Sequence, residues 1–258
     1  MALLEEMRKA WVLFSLTIRY TLTTRRGFAI AGLAAVPVIL AVSLAVANVP
    51  GFDIVLFQIL MVPLFLQVVL IFVTIVPSTA LVREEIEDNT IPYLLTRPVS
   101  KPAIATYKFA GYLAAAVALL LPPLALSYAV TQWSAGDPLG SDLDVLYAFS
   151  LAAVLGAAAY GAFFLFLSLL VRRPLAVGLL FGFVWESIVS SFPGDIPKLS
   201  ITYYLRSIIA GIVAVGPLTG FPTDFSALQA SAVLIAFAAG TMVLSMFVIQ
   251  NMEFKQKA

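Results

Sequence analysis

The 258-residue chain contains no cysteine and no histidine, and only 11% of its residues are charged. Without cysteine there is no disulfide framework, no thiol nucleophile and no thiolate for an iron–sulfur site. Without histidine the chain lacks the commonest metal ligand and the usual general base near neutral pH. A soluble domain carries about 25% charged and about 45–50% apolar residues; here hydrophobic residues reach 62%. So little polar surface does not cover a water-facing globule, and lipid must solvate part of the chain. The net charge of +1 offers no global attraction for nucleic acid. The start does not read as a cleavable signal peptide, because Glu5 and Glu6 occupy the place of a positive n-region and no small-residue cleavage site follows.

What is abundant is long apolar runs. A bilayer core of roughly 30 Å needs about 20 apolar helical residues. Six stretches qualify: Phe28–Val46, Ile54–Val82, Phe109–Val130, Leu146–Val171, Leu175–Ser190 and Ala227–Val248. The second measures roughly 44 Å at 1.5 Å per residue, so it should tilt or project beyond the membrane. Pro63 and Pro77 lie inside it as candidate kinks.

Basic residues orient the spans. With six spans and a cytoplasmic N-terminus, Arg8, Lys9, Arg19, Arg25, Arg26, Arg83, Arg97, Lys101, Lys108, Arg172, Arg173, Lys255 and Lys257 fall inside, and only Lys198 and Arg206 fall outside. The positive-inside rule therefore predicts both termini in the cytoplasm of a multi-pass plasma-membrane protein. Leu4, Met7, Trp11, Phe14 and Ile18 recur at helical spacing before Arg25 and Arg26. They predict an interfacial helix over residues 1–26, with a cytosolic extension of the first span as the alternative. Residues 192–226 contain Pro193, Pro197, Pro217 and Pro222 around a short apolar run. They are expected to form an outer helical segment that dips part-way into the membrane. The fold class expected is thus an all-α polytopic membrane protein, a single transmembrane domain over 1–258.

The segment between the second and third spans carries more information. Glu84, Glu85, Glu87 and Asp88 form an acidic cluster directly after a span. Asn89 or Thr90 can cap a short helix with Pro92 in its first turn, and Tyr93, Leu94 and Leu95 give that helix apolar bulk. Arg97 and Pro98 end it; Ser100 caps the next helix. An apolar cytosolic cluster with no core of its own points to a partner protein. The bland alternative is a solvated charge run flanking a membrane helix.

This segment resembles the cytoplasmic loop of ABC-2 type permeases. The match rests on Glu85, Glu87, Thr90, Leu94, Leu95, Pro98, Val99, Ser100, Lys101 and Lys108. Asn89 stands where the family has glycine, and Pro92 departs from its pattern. The layout is also similar, most nearly to the branch linked with multicopper-enzyme maturation. The resemblance implies that residues 83–102 form a coupling helix that docks on a separate ATPase. Glu84, Glu85, Glu87, Asn89, Thr90, Tyr93, Leu94, Leu95, Arg97 and Pro98 would be the coupling residues. It further implies two ATPase subunits, a second permease chain (a homodimer) and export. No cofactor is expected in this chain. ATP and Mg are expected on the partner, since the chain has no G-x-x-x-x-G-K-[ST] loop.

Inside the fifth span stands Glu186. An ionised carboxylate facing lipid costs several kcal/mol, so Glu186 should point into protein or a water-filled cavity. Gly178 and Gly182 share its face as a G-x-x-x-G seam, and Ala153, Ala157 and Gly161 make a second small-residue seam in the fourth span. Two roles stay open for Glu186: a pathway or gating residue, or a structural hydrogen-bond anchor. Candidate partners are Arg206 and tyrosine or serine hydroxyls. Met242 and Met246 lie one turn apart, and packing explains them better than Cu(I) binding. The competing readings are a secondary transporter and a membrane-embedded enzyme using Glu186. The first would need paired interrupted helices, the second converging carboxylates.

Overall fold

The computed structural model describes residues 2–87, 101–190 and 192–251. All regular structure among them is helical. α1 (Ala2–Thr23) meets α2 (Arg25–Ala34) at a sharp turn, and α3 (Val36–Val46) continues α2. Thr24 caps α2 by accepting a hydrogen bond from the Gly27 N–H at 3.2 Å. α4 (Ile54–Met61) passes through a π-helical stretch, Val62–Val69, into α5 (Leu70–Glu87). Pro63 opens that stretch. Proline has no N–H to offer the preceding turn, so a widened turn there has a local cause. α6 (Lys101–Ala135) and α7 (Leu143–Leu170) are long and unbroken. α8 (Pro174–Leu179), a π-helical stretch (Leu180–Trp185) and α9 (Glu186–Val189) form one short rod. A 3-10 turn (Ile196–Leu199) leads into α10 (Ile201–Ala210), and α11 (Ala227–Asn251) follows.

Five helical runs are long and apolar enough to cross a bilayer: Arg25–Val46, Ile54–Leu81, Ala103–Ala135, Leu143–Leu170 and Ala227–Asn251. The fifth expected span is the shorter rod Pro174–Val189, roughly 24 Å long. It starts four residues after α7 ends, whereas α11 starts beside α10, where a Cβ on Gly211 would stand 3.0 Å from Ala227. The chain therefore traverses the bundle between residues 174 and 226, so six crossings stand.

The two ends of the bundle differ in charge. One gathers Arg19, Arg26 and Lys108 around a common cleft. At the other, Asp142 accepts from Gln132 at 3.0 Å, and Asp144 accepts from the Ala214 N–H at 3.0 Å. Lys198, just ahead of α10, bridges Asp195 and Asp224. Hydrogen bonds to Asp195 and then Asp224 hold its ammonium above the ordinary lysine range. The core runs along the π-helical stretch, α5, α6 and α7, where Phe65, Leu70, Ile71, Tyr112, Phe149, Tyr160 and Phe164 are fully buried. α1 packs on α6 so closely that a Cβ on Gly111 would meet the Phe14 carbonyl at 2.8 Å. Among its described side chains Thr17 and Thr21 are buried, while Trp11 stays 67% exposed. The protein-facing line of α1 is thus rotated away from the Trp11 side of the expected stripe. Trp11 is left free for the interface.

If the basic end is cytoplasmic, cysteine placed singly at Ser141 will react with an impermeant thiol reagent added outside intact cells. Cysteine at Ser100 or Lys255 will not. The chain has no native cysteine to obscure the result. External labelling at position 255 would add or remove a crossing.

Candidate functional site

The fifth span is built around a period of four. Its buried positions include Pro174, Gly178, Gly182 and Glu186. In an α-helix of 3.6 residues per turn, this spacing drifts by about 40° at each step and roughly 120° by Glu186. The π-helical stretch Leu180–Trp185 widens the winding just before Glu186 and cancels much of that drift. Gly178 and Gly182 seat the rod on α5. A Cβ on Gly178 would stand 2.6 Å from Ile75, and one on Gly182 would stand 2.7 Å from Ile71. In α7, Ala153, Ala157 and Gly161 are buried. The Ala157 carbonyl accepts from the Tyr112 hydroxyl at 3.0 Å, and the Tyr112 ring fills the space over Gly161. The two small-residue seams thus serve different neighbours, α5 and α6.

Glu186 is 1% exposed, and both of its carboxylate oxygens are used. Oε1 accepts from the Ile201 N–H at 3.1 Å, and Oε2 accepts from the Thr202 N–H at 3.1 Å and from the Ser200 hydroxyl. Ser200 in turn accepts from the Tyr203 N–H at 3.3 Å. The first four N–H groups of an α-helix have no intrahelical partner. Here the first three of α10 are satisfied by a carboxylate on another helix and by the N-cap serine. Ser200, Ile201 and Thr202 are themselves buried. Tyr160 meets α10 at the same level, its hydroxyl 3.1 Å from the Thr202 hydroxyl. Tyr160 is ten residues from the basic end of α7, so α10 begins roughly 15 Å from that end.

This position settles the partner of Glu186. Among the described residues no ion pair joins it to Arg206, whose Nε is buried without a hydrogen bond. The serine hydroxyl is one partner, and two backbone N–H groups, which side-chain chemistry alone does not reveal, are the others. The remainder of the outer segment is tied down separately. Thr223 donates to the Ser207 hydroxyl at 2.8 Å, and the Gln58 amide donates to the Val215 carbonyl at 2.8 Å. Gly216, with φ of 131°, lies against the Gln58 side chain. A side chain there would be strained by the backbone and excluded by the glutamine. Met242 is buried and Met246 packs against the same core. Of the expected coupling residues, Asn89, Thr90, Tyr93, Leu94, Leu95, Arg97 and Pro98 lie outside the described residues. Glu84, Glu85 and Glu87 fall in the last turns of α5.

The geometry predicts the order of variants at position 186. Glutamine offers one acceptor oxygen and one donor NH2. Whichever way the amide turns, its NH2 faces the N–H of Ile201 or Thr202. Glu186→Gln is therefore expected to cost roughly 1–3 kcal/mol, and Glu186→Ala, which orphans three donors, more. Thermal unfolding of the purified protein checks this; a glutamine variant as stable as the wild type would remove the capping role.

The bundle, the split between basic and acidic ends and the loop between α5 and α6 together ask for comparison with known membrane proteins. No curated protein matches the chain. The family model of the ABC-2 family transporter proteins matches residues 23–190, which take in the first five spans and the whole of the 83–102 segment. The chain belongs to the ABC-2 family of transporter proteins.

Proposed function

We propose that this chain is the permease subunit of an ATP-driven ABC transporter and that it works as an exporter. Two copies would assemble with two separate ATPase subunits, which would bind ATP and Mg. Both termini and the 83–102 segment would face the cytoplasm of the plasma membrane. The observation that carries this reading is the family match across residues 23–190. Geometry adds support. α5 runs unbroken from the bundle core to Glu87, and α6 returns from Lys101. Lys108, two turns into α6, shares a cleft at the basic end with Arg26 and with Leu81 of α5. A long helix feeding such a segment can carry movement between a docked ATPase and the core. ATP shifts that equilibrium only through its differential binding to the two states. The enzyme reading loses its motive, because both oxygens of Glu186 are committed to α10. α11 keeps Ile235, Val243 and Phe247 exposed, a face suited to lipid or to the second copy.

Replacing both Leu94 and Leu95 by aspartate is expected to weaken co-purification of the ATPase by on the order of tenfold or more. Membrane insertion should be unaffected. Unchanged co-purification together with unchanged stimulated ATP hydrolysis would overturn the docking assignment.

A further inference from the structure

Arg206 is the one basic residue of α10, and it is part-buried. It shares a stripe with Thr202, one turn before it, and Ile209, one turn after, and both of these are fully buried. No residue of α10 is exposed, so the stripe faces protein rather than lipid. Its depth follows from a neighbour. Leu205 packs on α7 at Gly156, where an added Cβ would stand 3.2 Å from it. Gly156 lies near the middle of α7, roughly 20 Å from either end. Helical side chains lean toward the N-terminus of their own helix, and the N-terminus of α10 is its deep end. Arg206 therefore leans into the bundle and does not snorkel toward the acidic end.

Among the described residues its guanidinium makes no hydrogen bond and no ion pair, and Nε is buried. The ionisable groups whose charge reaches it are Glu186 and Tyr160. Glu186 does not close the pair: its oxygens take the N–H groups of Ile201 and Thr202 and the Ser200 hydroxyl. Those donors and the positive pole of α10 offset the carboxylate where it stands. An unpaired guanidinium inside a membrane domain is costly, and such a residue marks the path of a ligand. We propose that Arg206 binds the oxyanion head, phosphate or carboxylate, of an amphiphile that enters the bundle. The planar fork of a guanidinium matches such a head. A free oxyanion, stripped of water at this depth, has little beyond the guanidinium to offset the loss, whereas an apolar tail adds burial of its own. That this amphiphile is the transported substrate rests on the permease reading; its binding to the isolated chain does not.

The test uses the full chain purified in a maltoside detergent. Dodecyl phosphate, dodecanol and inorganic phosphate are titrated separately, with binding read by native mass spectrometry and stability by thermal unfolding. Dodecyl phosphate is expected to bind one per chain and to raise Tm, as a ligand of the folded state must. Dodecanol and inorganic phosphate should leave Tm unchanged. Arg206→Gln should weaken dodecyl phosphate binding by roughly tenfold or more. Arg25→Gln, exposed at the basic end, should not. Without ligand, Arg206→Met is expected to melt no lower than the wild type, because it removes an unpaired charge; a purely structural arginine would lower Tm on removal. A lower Tm for ligand-free Arg206→Met overturns the proposal, as does undiminished binding by Arg206→Gln. Equal binding of dodecyl phosphate and dodecanol by the wild type, or a Tm rise with inorganic phosphate alone, overturns it even if a variant fails to fold. None of these readings involves an ATPase, so they hold or fail apart from the docking test at Leu94 and Leu95.

Discussion

A helix that begins inside a bilayer must find partners there for its first N–H groups, because hydrocarbon supplies none. α10 faces this constraint directly. Its N-terminus is buried at the level of Tyr160, well within the span of α7. Glu186 answers the constraint from a different helix, and Ser200 completes the answer locally. A carboxylate at this end also complements the positive pole of the helix dipole. The exchange runs both ways, since the same N–H groups make it tolerable to bury a carboxylate in a membrane domain. Neither partner is stable in that place without the other.

Much of the remaining architecture positions this pair. Glu186 reaches α10 because the π-helical stretch keeps a period of four facing inward. The rod itself lies close to α5 because Gly178 and Gly182 leave room for Ile75 and Ile71. From the other side, α10 is held by Ser207 and Thr223, and the chain just beyond it by Asp144 and Gln58. Tyr203 of α10 also packs its ring against Phe221 and Phe225 of the following chain.

The spans were legible in the sequence because hydrophobic run length is a direct record of bilayer thickness. Their expected limits differ from the helices mostly at the ends, where α6 and α7 extend beyond the hydrocarbon core. Burial of Glu186 was legible too, since a lone carboxylate in an apolar run has few other places to go. Its partners were only partly so. A serine hydroxyl belongs among the expected candidates, whereas a backbone N–H bears no residue signature and depends on how far α10 inserts. Ser200 ahead of Ile201–Tyr204 is a readable N-cap signal, and nothing in it says that the cap lies in the membrane. The π-helical stretches were also hidden. Pro63 marks the first, but no residue type marks Leu180–Trp185, where tertiary packing on α5 sets the winding.

α5 connects these features in a way that assigns each segment a mechanical part. Between Leu70 and Ile75 it is clasped by the fifth span and by Gly156 of α7, where a Cβ would stand 2.6 Å from Leu70. Backbones that approach so closely move together. Beyond Ile75 comes Pro77, which removes one hydrogen bond from the helix interior and creates the place where α5 bends most easily. Under the proposed coupling to an ATPase, movement arriving at Glu87 would be either absorbed at Pro77 or passed to Ile75, Gly178 and Glu186. The outcome depends on what braces Pro77. One side of it lines the cleft between α1 and α5, so α1 is the element a bend there would meet. α1 is itself packed on α6 at Gly111. The packing of α1 against α6 therefore limits the bend at Pro77, and with it how far α5 can act as a rod.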